Sequence, residues 1–168
     1  MYPGGNVIKV KPAVEASTAY GANDLVCIKT EIPNIVASRG GASLIRNISI
    51  YQDVTTDVDY GVLLFDNSTG IGAGINDATS GISVPEFKAA GCIGGVSFDG
   101  AAGGDNVGTG RFLYSQSNTV YAGLTSPLLV KAADGETSLW FVVITVGTGV
   151  TYGTTDGLQL TFNVEYIG

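Results

Sequence analysis

Two stretches near the C-terminus carry the clearest patterning in the chain. Leu139-Trp140-Phe141-Val142-Val143-Ile144-Thr145-Val146 is apolar at nearly every position, which predicts a strand covered on both faces. Residues 158–166 alternate strictly. Leu158, Leu160, Phe162, Val164 and Tyr166 fall on one side, and Gln159, Thr161, Asn163 and Glu165 on the other, the pattern of a strand with one wet face. The Gly/Thr-rich link between them is too long for a tight turn and predicts two antiparallel neighbours joined by a loop. Trp140, inside the most apolar run, is expected in the core.

The same signals recur upstream. Residues 1–13 read as a flexible N-terminal arm: Pro3-Gly4-Gly5 is loose, and Val7-Ile8-Lys9-Val10-Lys11-Pro12 is a short extended piece. Strands are predicted over residues 25–32, 43–53, 60–66, 93–98, 111–115, 120–124 and 128–131. Residues 101–110 read as a polar, Gly-rich loop. Residues 84–91 hold the one plausible helix, with Ser83 as its N-cap, Pro85 and Glu86 in the first turn and Gly91 at its end. Many short strands, almost no helix and turns at sandwich spacing define the class. The expected fold is all-β, an antiparallel β-sandwich with at most one short helix near residues 84–91. Jelly roll is the favoured topology and an immunoglobulin-like order the alternative. Residues 14–168 form one domain, with no internal repeat and no shift in composition.

Composition narrows the function. At 168 residues the chain can bury roughly 70% of its unfolded surface, so it needs no staple. A net charge of −7 with eight scattered basic residues argues against nucleic acid, whose phosphates need clustered Lys and Arg. No apolar run is long enough for a membrane span, and the first six residues lack a basic region followed by an apolar core. Folding in a reducing cytoplasm is therefore expected, with Cys27 and Cys92 as buried free thiols.

The candidate chemistry is sparse. Histidine is absent, which removes Ser-His-Asp and Cys-His arrangements and His-based metal sites. Gly70-Ile71-Gly72-Ala73-Gly74 has neither the offset nor the helix start of a phosphate-binding loop. Asp53, Asp57 and Asp59 cluster at a turn, near Asp66 if the two flanking strands pair. They could hold a hard cation or act as a glycosidase pair, against the plainer reading of Asp chosen for turn chemistry. Gly103-Gly104-Asp105-Asn106 hints at a calcium loop without the repeat that makes the hint specific. Asn47-Ile48-Ser49 and Asn67-Ser68-Thr69 are chance matches to the glycosylation pattern. No catalytic, cofactor or metal residue is assigned.

Several segments together resemble a known group. Tyr20-Gly21-Ala22-Asn23-Asp24-Leu25-Val26, Gly40-Gly41-Ala42-Ser43-Leu44-Ile45, Leu63-Leu64-Phe65-Asp66, Leu139-Trp140-Phe141-Val142-Val143, Thr148-x-x-Thr151-Tyr152 and Asp156-Gly157-Leu158 look like small virion proteins of tailed bacteriophages. In marine and cyanobacterial phages these are similar to head decoration (cement) proteins. The resemblance covers residue 19 to the end and leaves the arm outside. It implies a β-sandwich or jelly-roll domain, often a homotrimer, on the capsid exterior of the virion. There it clamps neighbouring copies of the major capsid protein, with no cofactor, nucleic acid or membrane involved. The expected gripping residues are Tyr2, Pro3, Val7, Ile8 and Val10 in the arm. Two rivals stand beside this reading: a tail or fibre component binding a host glycan through exposed aromatics, and a hydrolase using Asp53, Asp57 or Asp59.

Overall fold

The computed structural model describes residues 5–78, 84–101, 104–114, 127–147 and 149–167. Within them the chain runs β1 (Gly5–Val10), β2 (Leu25–Ile32), β3 (Ala42–Gln52), β4 (Asp59–Phe65), α1 (Val84–Ala89), β5 (Cys92–Phe98), β6 (Gly104–Val107), β7 (Gly110–Tyr114), β8 (Leu128–Lys131), β9 (Leu139–Val146) and β10 (Leu158–Ile167). All strand pairings among these elements are antiparallel. One sheet has the order β1-β10-β3-β7-β6, with β8 also on β3, and the other has β2-β9-β4-β5. The all-β class, the two packed antiparallel sheets and the single short helix agree with expectation. Ser83 and the strand expected at 120–124 lie outside the described residues.

The core between the sheets follows from period-two alternation. From one sheet, Ile8, Ile48, Ile50, Leu113, Leu160, Phe162 and Val164 point inward; from the other come Val26, Tyr60, Val62, Leu64, Phe141 and Val143. Phe141 and Phe162 meet across the interface with ring centroids 5.6 Å apart. A buried polar chain also crosses it. The Tyr60 hydroxyl donates to Gln52 Oε1 at 2.6 Å and lies 2.8 Å from the Tyr152 hydroxyl, while Gln52 donates to the carbonyls of Val54 and Thr56. Each buried polar atom in this chain has a partner, which removes the desolvation cost of orphaned groups.

The last two strands are not neighbours. β9 lies in the four-stranded sheet between β2 and β4, whereas β10 lies in the six-stranded sheet between β1 and β3. The expected antiparallel pair is therefore wrong: the link at 147–157 crosses between layers. That crossing is laced to the β1–β2 connection by Val14 N–H to Thr155 O, Ser17 N–H to Tyr152 O and Tyr20 N–H to Val150 O. Gly149 is required where the two segments touch, because a Cβ there would sit 1.8 Å from the Tyr20 carbonyl oxygen.

Two other segments differ from the sequence reading. Residues 5–10 do not hang free as an arm; they form β1, paired along its length with β10 from Gly5↔Glu165 to Val10↔Leu160. The alternation Ile8-in, Val7-out lets a short strand cap the sheet. Within the expected 101–110 loop, β6 pairs with β7 around the two-residue turn Gly108-Thr109. Gly108 takes φ +65°, the left-handed geometry a tight hairpin demands at that position.

Candidate interaction surface

The acidic turn resolves into three separate structural roles. Asp53 Oδ2 accepts from the Thr154 hydroxyl at 3.1 Å, and its Oδ1 is buried without a hydrogen bond, packed against Gly157. Asp57 pairs with Arg111 at 2.7 Å, and Asp59 accepts the Gly100 N–H at 2.7 Å. β3 and β4 sit in different sheets, so Asp66, at the far end of β4, is not brought to this turn. Among the described residues no three Cys, Asp or Glu side chains are grouped so that they could hold a metal ion. Asn106, from the hinted calcium loop, is a strand residue whose Oδ1 accepts from Arg111 Nη1 at 3.0 Å. Arg111 also donates to the carbonyls of Gly100 and Gly104, so one buried guanidinium organises the loop before β6.

The buried titratable groups are held in their neutral forms. Burial pushes the Cys27 thiol up to about 12 and raises the Tyr60 and Tyr152 phenols above their ordinary range. Cys27 is buried and Cys92 half-buried; both are free thiols, so burial of the second is less complete than expected. Gly70–Gly74 is a loop that carries Ile71 into an apolar cluster on the outer face of the four-stranded sheet. Trp140 packs at the edge of that same outer cluster, half-buried, rather than in the core between the sheets.

The expected gripping residues divide. Tyr2 and Pro3 lie outside the described residues. In β1, Ile8 is 8% exposed and faces the core, Val10 is half-buried against it, and Val7 stands out at 57%. Ile8 is thus committed to folding, and Val7 is the one of the three that a partner could reach. Among the described residues β1 pairs on one side only, with β10, and the other edge of its backbone lies at the margin of the sheet. Lys9 is exposed on the same strand, the kind of charge that discourages unspecific edge pairing.

Three other large apolar side chains are exposed on the same sheet: Leu129 at 63%, Val107 at 52% and Ile167 at 44%. Leu129 lies opposite the half-buried Leu44, and Ile167 opposite Ala42. A groove of about 330 Å³ lined by Asp66, Ile93 and residues 128–134 opens beside them. Sequence reasoning missed this group because residues 128–131 read only as a short strand; the pairing of β8 with β3 is what shows that Leu129 faces outward. No family model, curated protein or solved structure matches this chain.

Proposed function

We propose that this protein is a structural virion component, a decoration (cement) protein that binds the outer surface of a phage head and clamps neighbouring capsid subunits. The observation that carries the reading is the edge of β1, unpaired among the described residues, with Val7 exposed on that strand and Leu129 and Ile167 exposed on the same sheet. An open edge offers main-chain hydrogen bonds to an added strand, and an exposed apolar side chain gives that addition a fixed register. A standard interface buries roughly 1,600 Å² in total, and repetition over a shell multiplies modest affinities. The resemblance to phage head proteins supports the same reading and implies a homotrimer as the clamping unit.

Jelly-roll topology belongs to this proposal. Its support is the nested pairing β1·β10, β2·β9, β3·β8 and β4·β5, with successive partners alternating between the two sheets. Such nesting is what a long hairpin wrapped into two layers produces.

The test adds purified protein to phage heads prepared without it. Saturable co-sedimentation, a higher temperature for DNA release, and loss of both in Val7→Asp with unchanged circular dichroism are the expected results. No co-sedimentation and an unchanged release temperature would remove the proposal.

A further inference from the structure

We propose that the polar outer face of the six-stranded sheet, along the rows of β10, β3 and β7, is a binding site for a neutral oligosaccharide. The face is assembled by register. Gln159 lies opposite Tyr51, Thr161 opposite Ser49 and Asn163 opposite Asn47; Tyr51 in turn lies opposite Phe112 on β7. Their chain neighbours Leu160, Phe162, Ile48, Ile50 and Leu113 fill the core, so these side chains point away from it. Gln159, Thr161, Asn163, Asn47, Tyr51 and Phe112 are all half-buried, reachable yet held by their neighbours. The strip runs about 14 Å along β10 and about 10 Å across three strands, the footprint of a short glycan.

Its chemistry selects the ligand. In a chain of net charge −7, the facing rows of β10 and β3 from Gln159 to Asn163 carry no ionised side chain. Charges appear at the margins: Lys9 opposite Thr161 on one side, Asp105 opposite Phe112 on the other, and the Arg46–Glu165 pair beyond Asn47 and Asn163. Carboxamides present a donor and an acceptor side by side, which matches adjacent hydroxyls on a sugar ring. The aromatic platform is built in. A Cβ on Gly110 would lie 2.5 Å from the Tyr51 hydroxyl oxygen and 2.8 Å from its ring, so Tyr51 lies down over the glycine backbone. Phe112 braces it with ring centroids 5.6 Å apart and planes at 53°. A ring held this way binds the apolar face of a sugar with little entropy left to lose. An acidic polymer would meet cations only at the edges of the strip, at Lys9 and at Arg46, which is paired with Glu165; of the exposed apolar side chains a protein partner would bury, Val7 stands at the margin opposite Asn163, while Leu129 and Ile167 lie off these rows. A strand added to β1 would extend the plane of the sheet, whereas a glycan would lie on its face.

The experiment titrates the isotope-labelled full chain with neutral gluco-, manno-, galacto- and N-acetylglucosamine hexasaccharides, and with an oligogalacturonate as the acidic control. At least one neutral sugar should shift, saturably, the side-chain amides of Gln159 and Asn163 and the backbone of residues 47–51. Gln159→Ala and Tyr51→Ala should each weaken binding roughly tenfold, while Tyr51→Phe retains it. If Tyr51→Ala fails to fold, Gln159→Ala and Asn163→Ala decide the matter alone. No shift with any neutral sugar, shifts confined to another face, or equal binding of the acidic control would overturn the assignment.

Discussion

The two sheets share one core but treat their outer faces in opposite ways. On the four-stranded sheet, Leu25, Phe65 and Val142, with Leu63, Trp140 and Ile144 beside them, are sealed by Ile71, Ala73 and Ala90 from the excursion between β4 and β5. On the six-stranded sheet the corresponding face is polar along β10 from Gln159 to Asn163, and no second apolar cluster covers it among the described residues. β9 reads as apolar throughout because it is covered twice; β10 alternates because it is covered once. Lys29 locks the cover in place. Its ammonium donates to the carbonyls of Asn67 at 3.1 Å, Thr69 at 2.5 Å and Ala90 at 2.7 Å, and lies 4.0 Å above the Phe65 ring. The covered face adds to stability, and the face of the six-stranded sheet is where we propose that a partner binds.

Substitutions should rank by layer. Phe162→Ala, in the shared core, should cost about 3–5 kcal/mol in urea unfolding. A similar cost is expected for Phe141→Ala, and less than the sum for both, because the two rings touch. The outer cover should be worth less. Trp140→Ala should cost about 1–3 kcal/mol, below the full core value its sequence context suggests. Lys29→Met should cost about 1–3 kcal/mol and selectively speed amide exchange in residues 66–78. If Trp140→Ala matched Phe162→Ala, the two-layer distinction would fail.

The shared core should also be sensitive to alkali. Cys27, Tyr60 and Tyr152 have folded values raised by burial, so they stay protonated while the unfolded chain ionises. Their stabilising contribution is complete below about pH 9, the ordinary thiol value, and is lost progressively above it. Lys29, lowered by burial, works in the other direction, gaining stability as pH rises towards its ordinary range. Three raised groups outweigh one lowered group, so Tm should fall between about pH 9 and 11, and less steeply in Tyr152→Phe. A flat profile would mean that the core is wet. The smallest effect belongs to the polar face of the six-stranded sheet, where Gln159→Ala should change stability by no more than about 0.5 kcal/mol.

Local pattern made most of the elements legible. Alternation exposed β3 and β10, continuous apolar runs exposed β4 and β9, and Pro85, Glu86 and Gly91 bracketed α1. Pairing was not legible, since period two says which way a side chain faces and nothing about which strand lies beside it. Hence β9 and β10 read as neighbours when they belong to different layers. β6 was missed because Gly-Asp-Asn-Val has loop composition and becomes a strand only through its hairpin with β7. β1 read as an arm because six residues with Gly at one end carry little pattern of their own. At the surface, sequence did not separate Val7 from Ile8 and Val10; only the pairing of β1 shows that Val7 faces out and Ile8 faces the core. The Gln159–Tyr51–Phe112 row was not legible either, because its members come from three strands far apart in sequence.

Electron cryo-microscopy of the intact particle that carries this chain tests the central proposal most directly. The account predicts two-sheet density on the outside of the head, repeated with the capsid lattice, with the edge of β1 and Val7 against the capsid subunits. Density in the tail or its fibres, or on the head with β1 facing solvent, would contradict it.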